Sequence, residues 1–435
     1  MKRIIFYSVF FSVILSLAGS GTVAGQNVAK FSEPGVVTPG INIHFTKGHE
    51  KDLDMIAAAG FKYIRMDFAW QGTEKVKGKY DWSAYDELTS NLEKRGIRAL
   101  YILDYSNSLY ENEVEATDPL TGKKERNTAS PAHPESIEAF ARWAATAALH
   151  FRGKNIIWEI WNEPNIFFWR PAPDVEQYNK LAIATCKAVK AAVPEAVIIG
   201  PATSQLPVPF IESFLSTGIL EYLDGVSVHP YRRYSLPPES AVDDYRKIDE
   251  LIKKYTPSGR KAVPIISGEW GYNTSSRGVS HETQAAYIVR MQLSNLLYGI
   301  PFSIWYDWKN DGPDPDEWEH NFGTVTIDLQ PKPAYIAIKT MCEQLRGFTF
   351  VKRAEIKNSN DYILLFRDSK GNGKAVAWTT EIPHNVSLKG IFPDGLEFKP
   401  VNWEGKIIKS EDGIKDNLPV SGLPQYITLP AGTSF

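Results

Sequence analysis

Short runs of β-branched and aromatic residues alternate with helical stretches from about residue 37 to residue 347, and this alternation constrains the fold most. The predicted strands are Gly40–Phe45, Tyr63–Phe68, Ala99–Asp104, Ile156–Asn162, Val197–Pro201, Gly225–His229, Pro264–Gly268 and Phe302–Tyr306. Eight strand–helix units in this length indicate an α/β fold, a closed (β/α)8 (TIM) barrel. An open doubly wound sheet would need a phosphate-binding glycine turn, and the sequence has no G-x-G-x-x-G.

Two long connections and a change of pattern define the rest of the organisation. The connections, residues 105–135 and 307–332, follow the third and eighth predicted strands, at the face where barrels carry their active sites. From Phe348 the helical periodicity disappears. The runs Tyr362–Arg367, Ala375–Thr379 and Tyr426–Leu429 predict strands. We therefore expect a barrel at residues 26–347 and a small antiparallel β domain, β-sandwich-like, at residues 348–435.

The amino terminus has the pattern of a secretory signal. Lys2 and Arg3 precede an apolar run from Ile4 to Leu17, and small residues follow up to Gly25. A membrane anchor is the alternative, but the run is short of the about 20 residues that a span needs. We predict a signal peptide at residues 1–25 and a secreted or periplasmic protein that does not insert into the membrane after cleavage.

Charge and cysteine content exclude several classes of function. Loss of residues 1–25, with Lys2, Arg3 and no acid, moves the net charge from −3 to −5. This mild acidity argues against nucleic acid or anionic membranes as partners. Cys186 and Cys342 fall on helices predicted to lie on opposite sides of the barrel, so we expect two free thiols.

Two glutamates end predicted strands on opposite sides of the barrel. Glu163 follows the fourth strand and Glu269 the seventh, each beside a tryptophan. Cleavage of a glycosidic bond needs two carboxyl groups that flank it, one as acid and the other as nucleophile or base. We predict that Glu163 and Glu269 meet across the mouth of the barrel as this catalytic pair.

The two motifs resemble those of clan A glycoside hydrolases. Trp161-Asn162-Glu163-Pro164 and Gly268-Glu269-Trp270 are similar to the clan's acid/base and nucleophile motifs, and the overall pattern resembles families 5 and 39. The resemblance implies a retaining double displacement with Glu163 as acid/base and Glu269 as nucleophile. Retaining enzymes hold their carboxyl groups about 5–5.5 Å apart, and inverting enzymes about 6.5–9.5 Å. The shorter spacing is expected here.

The resemblance extends to further substrate-binding positions. Arg65 matches the arginine near the nucleophile, Asn162 the asparagine that binds the sugar 2-OH, and Tyr231 in His-x-Tyr the tyrosine that orients the nucleophile. His229 is equally compatible with a buried structural role or a substrate contact. Trp305 matches the platform under the reacting sugar, and the clan pattern implies a cis peptide between it and Tyr306.

Other residues are assigned from their positions alone. Asp104 ends the third strand, where many family 5 members carry histidine, and is a candidate to bind a terminal sugar. Glu159 lies four residues before Glu163, so we expect it to be buried and hydrogen-bonded rather than catalytic. Aromatic rings suit sugar faces; the chain has 12 Trp, and the candidate subsite rings are Trp169, Trp270 and Trp308.

Several functional alternatives stay open. The metal-site motif H-E-x-x-H and the serine-hydrolase motif G-x-S-x-G do not occur, and no cofactor is predicted. A poly- or oligosaccharide is the expected substrate, with endo action preferred over an exo-β-glycosidase such as a xylosidase. A transglycosylase would use the same residues, and a non-catalytic carbohydrate-binding barrel is the alternative of a different class. The sequence does not decide the sugar or the oligomeric state.

Overall fold

A computed structural model describes residues 30–117, 122–392, 397–408, 415, 417–430, 432–433 and 435. The predicted signal peptide lies outside these residues. The strands are β1 Pro39–Asn42, β2 Tyr63–Ala69, β3 Arg98–Asp104, β4 Glu113–Thr117, β5 Lys124–Thr128, β6 Ile157–Ile160, β7 Val197–Ser204, β8 Gly225–His229, β9 Ile265–Trp270, β10 Ser303–Trp305, β11 Phe348–Arg353, β12 Asp361–Asp368, β13 Gly373–Thr379, β14 His384–Ser387, β15 Asn417–Val420 and β16 Gln425–Thr428.

Eight of these strands form a closed parallel barrel in the order β1-β10-β9-β8-β7-β6-β3-β2. The predicted (β/α)8 barrel is therefore confirmed, and each predicted strand coincides with an observed one to within three residues at either end. The hairpin β4–β5, inside the first long connection, was not predicted. Its strands consist mainly of charged and polar residues, so they lack the hydrophobic pattern that marks a core strand.

The helices surround the barrel. They are α1 Glu50–Ala59, α2 Trp70–Thr73, α3 Ser83–Glu93, α4 Pro134–His150, α5 Val175–Ala192, α6 Val208–Ser216, α7 Val242–Tyr255, α8 His281–Leu297 and α9 Pro333–Gln344, with 3₁₀ turns at Ile219–Glu221, Pro238–Ala241 and Glu319–Asn321. Among the described residues, no helix combines the length and apolar character needed to cross a bilayer.

The barrel interior is apolar toward the amino-terminal ends of the strands and polar toward their carboxyl-terminal ends. Its lower part packs inward-pointing side chains such as Tyr63, Leu100 and Ile304 into one buried cluster. Side chains two residues apart on a strand share a face. Arg65, two residues after Tyr63, therefore lies one layer higher in the interior. This polar layer forms the floor of the candidate site.

The carboxyl-terminal region contains two antiparallel sheets, one of four strands (β11-β12-β13-β16) and one of two (β14-β15). Alternate residues of the larger sheet face opposite ways. Ile363 and Leu365 join the core that it shares with the small sheet, whereas Leu364 and Trp378 join the core beneath the barrel helices. The predicted antiparallel β domain is confirmed, and it packs directly onto the barrel.

The two cysteines are free, as predicted. Cys186 lies in α5 and Cys342 in α9, and burial raises the pKa of the Cys186 thiol above its ordinary value. A fully buried thiol with a raised pKa is a poor nucleophile, because the thiolate is the reactive form.

Candidate active site

Arg65 is the centre of a buried hydrogen-bond network at the carboxyl ends of the strands. Its Nε donates to Glu159 (2.6 Å), one terminal nitrogen to Glu269 (2.5 Å), and the other to Asn162 Oδ1 (2.8 Å). The guanidinium is 1% exposed. Burial by itself would lower the pKa of Arg65, but Glu159 and Glu269 raise it above its ordinary value. Arg65 is thus a fixed positive charge under the mouth of the barrel.

Two donors bind the carboxyl group of Glu269. Arg65 donates to its Oε2, and the Tyr231 hydroxyl donates to its Oε1 at 2.8 Å. The structure therefore places Arg65 and Tyr231 against Glu269, as the resemblance to clan A enzymes implied.

Glu163 lies in a different environment. Burial raises its pKa to about 7, with a further contribution from Glu159 that Arg65 opposes. At neutral pH a substantial fraction of Glu163 is therefore protonated. The backbone turns sharply at this point, since Trp161 and Glu163 both have positive φ (65° and 46°), a conformation that non-glycine residues seldom adopt away from functional sites.

The contacts of His229 fix the position of its proton. Burial lowers the pKa of His229 to about 4, so its ring is neutral near pH 7. Nε2 lies 3.3 Å from an Arg65 nitrogen, and arginine can only donate, so Nε2 accepts. The ring proton is then on Nδ1, which donates to Glu163 Oε1 at 2.9 Å. A proton on Glu163 consequently belongs on its other oxygen, Oε2.

The two carboxylates lie close together. Glu163, His229 and Glu269 each place one ligand-type atom within 4.8 Å of the others. This upper limit is compatible with the spacing of about 5–5.5 Å between the carboxyl groups of retaining glycosidases. His229 contacts Glu163 directly. Both of its ring nitrogens are engaged, one by Glu163 and the other by Arg65, so neither is free to bind substrate.

Two neighbouring residues complete the polar layer. Glu159 is fully buried and accepts from Arg65 and from the Ser227 hydroxyl, which confirms its predicted structural role. Asn162 accepts from Arg65 and donates to the Tyr105 hydroxyl at 3.0 Å. Its amide has a second N–H, which can still donate to a sugar hydroxyl.

The prediction that Trp305 forms a platform under the sugar is wrong. Ile304 belongs to the barrel interior, so its neighbour Trp305 points outward. Its ring is 0% exposed and lies 6.3 Å from the ring of Tyr272. The expected cis peptide is also displaced by one bond, since it joins Tyr306 and Asp307.

Tyr306 takes the inward position that was assigned to Trp305. It lies edge-on to His44 (5.6 Å) and Phe322 (5.2 Å), and its hydroxyl donates to Glu319 at 3.1 Å. Burial, with a smaller effect from Glu269, raises the pKa of both Tyr306 and Glu319, the latter to about 7. The alternation of side chains along β10 predicts the inward position of Tyr306. Phe302 and Ile304 face the barrel interior, so Tyr306, two residues further on, faces it as well.

The other candidate subsite tryptophans are also buried. Trp169 and Trp270 are 0% exposed and Trp308 is 1% exposed. Trp308 donates from Nε1 to Asp52 (2.9 Å) and contacts Tyr335 edge-on, so it belongs to the layer between barrel and helices. None of the three presents a face to a sugar, and their assignment as subsite rings is wrong.

Asp104 does not reach the substrate either. Asp104 is 0% exposed and lies beside the side chain of Asp67. Burial and the nearby carboxylate of Asp67 raise the pKa of Asp104 well above its ordinary value. Asp104 is thus buried beneath the site, and the expected contact with a terminal sugar is wrong.

Two clusters in the described part of the chain have the donor types of a metal site. One is Glu163, His229 and Glu269, where the Arg65 guanidinium already supplies the positive charge. The other is His44, Asp307 and Asp311. In that cluster His44 pairs with Asp307 at 3.4 Å, and its pKa is raised to about 9 because Asp307 outweighs the effect of burial.

Comparison with known proteins agrees with this geometry. Residues 25–312 match the family described as Cellulase (glycosyl hydrolase family 5). A β-xylosidase of Geobacillus stearothermophilus is 27% identical over 283 residues, which cover 59% of this chain and 52% of that protein. The chain thus spans about half the length of the curated relatives it matches.

Solved structures share the whole architecture. A family 39 glycoside hydrolase from Bacteroides cellulosilyticus WH2 superposes with a TM-score of 0.75 at 26% identity, covering 91% of this chain and 81% of the other. A monomeric β-xylosidase from Caulobacter crescentus CB15 has a TM-score of 0.66 at 18% identity, over 92% and 96% of the two chains. At that identity the second likeness shows the fold alone.

Proposed function

The chain belongs to the cellulase family of clan A glycoside hydrolases (glycosyl hydrolase family 5), and from this premise we propose that it is a retaining glycosidase acting on a β-linked oligosaccharide. Glu269 is the nucleophile and Glu163 the acid/base. The observation that carries the proposal is the pair itself. Two carboxylates with oxygens within 4.8 Å have contrasting environments, one beside a cation and a tyrosine hydroxyl, the other buried with a raised pKa.

In the first step, Glu269 attacks the anomeric carbon while Glu163 gives the proton on Oε2 to the leaving oxygen. The glycosidic C–O bond breaks and an ester to Glu269 forms. Arg65 and Tyr231 orient the attacking carboxylate. The Nδ1–H of His229, bonded to Glu163 Oε1, directs the acidic proton to the oxygen that faces the substrate.

In the second step, Glu163 acts as a base. With its proton gone, it deprotonates a water, which attacks the anomeric carbon and displaces Glu269. The sugar is released with its original configuration, and Glu163 is protonated again. The same two residues would support transglycosylation if a sugar hydroxyl replaced the water.

We propose further that the enzyme removes single sugars, in the manner of a β-xylosidase, rather than cutting within a chain. The expected endo groove needs exposed rings along its length, and Trp169, Trp270 and Trp308 are all buried. The side chains of Glu163 and Glu269 are only 9% and 12% exposed. The names of two curated relatives, both called β-xylosidase, support the same preference.

Stereochemistry and pH test the mechanism. Proton NMR of the first product formed from a 4-nitrophenyl β-xyloside should show the β anomer before mutarotation, and an initial α anomer would contradict retention. The value of kcat/KM should fall as pH rises through about 7, because Glu163 must hold its proton to act as the acid.

Product sizing decides the mode of action. Reduced xylo-oligosaccharides should release xylose one unit at a time, whereas an endo enzyme would produce shorter oligosaccharides at early times. If the protein hydrolyses none of the β-glycosides, a non-catalytic carbohydrate-binding barrel is the remaining explanation of the site. Longer products would reveal transglycosylation.

We also propose that the protein is exported by its amino-terminal signal. The support is the basic and apolar pattern of residues 1–25 in the sequence. Intact mass of the protein recovered outside the cytoplasm of an expressing bacterium should correspond to a chain that begins at Gln26. A mass that includes Met1 would contradict cleavage.

A further inference from the structure

A second pocket adjoins the candidate active site. It has a volume of about 260 Å³ and lies between the β4–β5 hairpin, the end of β3 and the segment that follows β6. Its lining residues are Gln71, Tyr105, Ser106, Asn127, Thr128, Ser130, Trp161, Phe168 and Arg170. The pocket is large enough for one sugar-sized group and too small for a length of polysaccharide.

The wall of this pocket is continuous with the catalytic residues. Trp161 precedes Asn162 and Glu163 in the chain, and Tyr105 accepts a hydrogen bond from Asn162 at 3.0 Å. The Tyr105 ring stacks on Phe168 at 5.8 Å and meets the Trp161 ring edge-on at 5.5 Å. A group in the pocket therefore contacts Tyr105, which is hydrogen-bonded to Asn162 beside the catalytic Glu163.

The pocket has polar groups without partners. Trp161 is 1% exposed, and its Nε1–H has no hydrogen-bond acceptor in the described part of the chain. A buried donor without an acceptor is unfavourable until a ligand provides one. The side chains of Ser106, Asn127 and Thr128, which also line the pocket, show no hydrogen bonds to other described residues. They can donate to or accept from a ligand hydroxyl.

The pocket also differs in charge from the catalytic site beside it. Arg170 is the single charged residue among those that line it, and its guanidinium has no ion-pair partner among the described residues. The backbone of Arg170 is fixed by reciprocal hydrogen bonds with Ser130, from Arg170 N to the hydroxyl and from Ser130 N to the Arg170 carbonyl. The neighbouring catalytic site contains Glu159, Glu163 and Glu269, which repel anions.

We propose that this pocket binds an anionic group carried by the oligosaccharide, and that the natural substrate is an acidic, branched glycan. A guanidinium binds planar or tetrahedral oxyanions through paired N–H donors. A uronic acid carboxylate and a sulfate ester share this chemistry. The inference rests on the proposed glycosidase function for its substrate, and on the lining of the pocket for its charge.

Matched substrates test the proposal. We would compare kcat/KM for a linear xylo-oligosaccharide, the same oligosaccharide with one glucuronyl branch, and a singly sulfated form. The wild type should prefer at least one acidic form about tenfold or more, and the better of the two identifies the source of the anion. Equal rates on all three would overturn the proposal.

Two arginine variants separate the pocket from general charge attraction. Arg170→Met should lose about tenfold in kcat/KM on the preferred acidic substrate and less than twofold on the linear one. Arg126→Met is the matched control, because Arg126 is an exposed arginine on β5, next to the pocket residue Asn127, and does not itself line the pocket. If both variants lose equally, or if Arg170→Met affects both substrates alike, the anion is not bound in the pocket.

Two further variants protect the test against misfolding. Arg170→Lys keeps the charge without the paired donors, and should lose an intermediate part of the preference. Trp161→Phe keeps the ring and removes the N–H, and should weaken binding of the branched form several-fold. Melting temperatures would establish that each variant is folded.

A binding measurement distinguishes failure of this inference from failure of the proposed function. If no β-glycoside is hydrolysed, isothermal titration of the wild type and Arg170→Met with the glucuronyl-branched and the sulfated oligosaccharide still tests the pocket. Binding that depends on Arg170 supports the site without catalysis. Binding unaffected by the substitution, or absent from the wild type, overturns it.

Discussion

Two buried arginine–glutamate groups lie in different parts of this molecule, and their contrast separates structure from chemistry. Beneath the carboxyl-terminal sheet, Arg290 of α8 forms two 2.8 Å hydrogen bonds to Glu239, whose Oε1 also accepts from Trp378. One cation faces one anion, and both oxygens of the carboxylate are satisfied. The group is closed and neutral.

The group around Arg65 at the barrel mouth is neither closed nor neutral. Arg65 faces two ionisable carboxylates directly, Glu159 and Glu269, and a third, Glu163, lies close to Glu269. One cation cannot balance all three carboxyl groups, and burial, with a smaller effect from Glu159, raises the pKa of Glu163 to about 7 although Arg65 opposes it. A catalytic pair requires carboxyl groups that outnumber the cations beside them, and the fold provides that here.

The largest expected effect comes from removing either member of the unbalanced pair. Glu269→Ala should reduce kcat on every substrate by on the order of 10⁴-fold or more, because no glycosyl-enzyme can form. Glu163→Ala should lose about 10²–10⁴-fold on substrates with poor leaving groups. It should still form the intermediate from a dinitrophenyl β-glycoside, and azide should release the β-glycosyl azide.

The anomer of the azide product checks the assignment. An α-azide from Glu163→Ala together with a β-azide from Glu269→Ala would exchange the two roles. Tryptic peptides of the wild type, trapped with a fluorinated sugar, should carry the label on Glu269.

A pair of methionine variants sharpens the comparison directly. Arg65→Met and Arg290→Met each leave a buried carboxylate without its cation, so each should lower the free energy of unfolding by about 3–5 kcal/mol. Arg65→Met should also lower kcat/KM by on the order of 10²-fold or more, because Glu269 loses its orientation and charge partner. Arg290→Met should leave the kcat/KM of the folded fraction within about twofold of wild type. Denaturant unfolding and steady-state kinetics measure the two effects, and a comparable loss of turnover in Arg290→Met would erase the distinction.

The unbalanced group should make stability depend on pH. The folded-state pKa of Glu163 is about 7 against an ordinary value of 4.5, so the folded protein holds a proton that the unfolded chain has lost. Stability from this group is present below about pH 4.5, declines as pH rises and is lost above about pH 7, a change of at most about 3 kcal/mol. Glu163→Gln should lack this decline and be more stable than wild type at pH 8 but not at pH 4. An identical pH dependence of unfolding in both proteins would refute the raised pKa.

The smallest effect is expected in the closed group. Trp378→Phe removes one N–H donor to Glu239 while Arg290 still holds both oxygens. The free energy of unfolding should fall by about 1–2 kcal/mol, and kcat/KM should not change. A loss larger than that of Arg290→Met would mean that packing of the indole, rather than charge balance, governs this interface.

The sequence was sufficient to predict the eight barrel strands and the two glutamates at their ends, and the reason is local. β-Branched runs mark each barrel strand, and Glu163 and Glu269 follow such runs directly. Arg65 and Tyr231 were assigned by resemblance, and their contacts with Glu269 follow from the closure of the barrel. Contacts such as the proton-directing bond of His229 involve residues far apart in sequence, so no local pattern contains them.

The tryptophans show where sequence reasoning was insufficient. Trp270, Trp305 and Trp308 lie at strand ends, as active-site residues do, but all three are buried outside the reach of a sugar. A tryptophan suits a sugar platform and a helix-packing layer equally well, so residue type alone could not decide. Alternation along β10 would have decided for Trp305, because Ile304 is an interior residue.

The sheet formed by β11, β12, β13 and β16 has a core on each of its faces, and this makes the two halves of the chain inseparable. Its outer edge strand also binds the amino-terminal segment, where Phe350 N donates to the Gly35 carbonyl at 2.8 Å. Excision after residue 347 would uncover the apolar surface beneath Trp378 and Tyr426, and an isolated barrel would aggregate. Heat should therefore melt the whole chain in a single transition, and a transplant of this catalytic barrel into another protein must carry its β region with it.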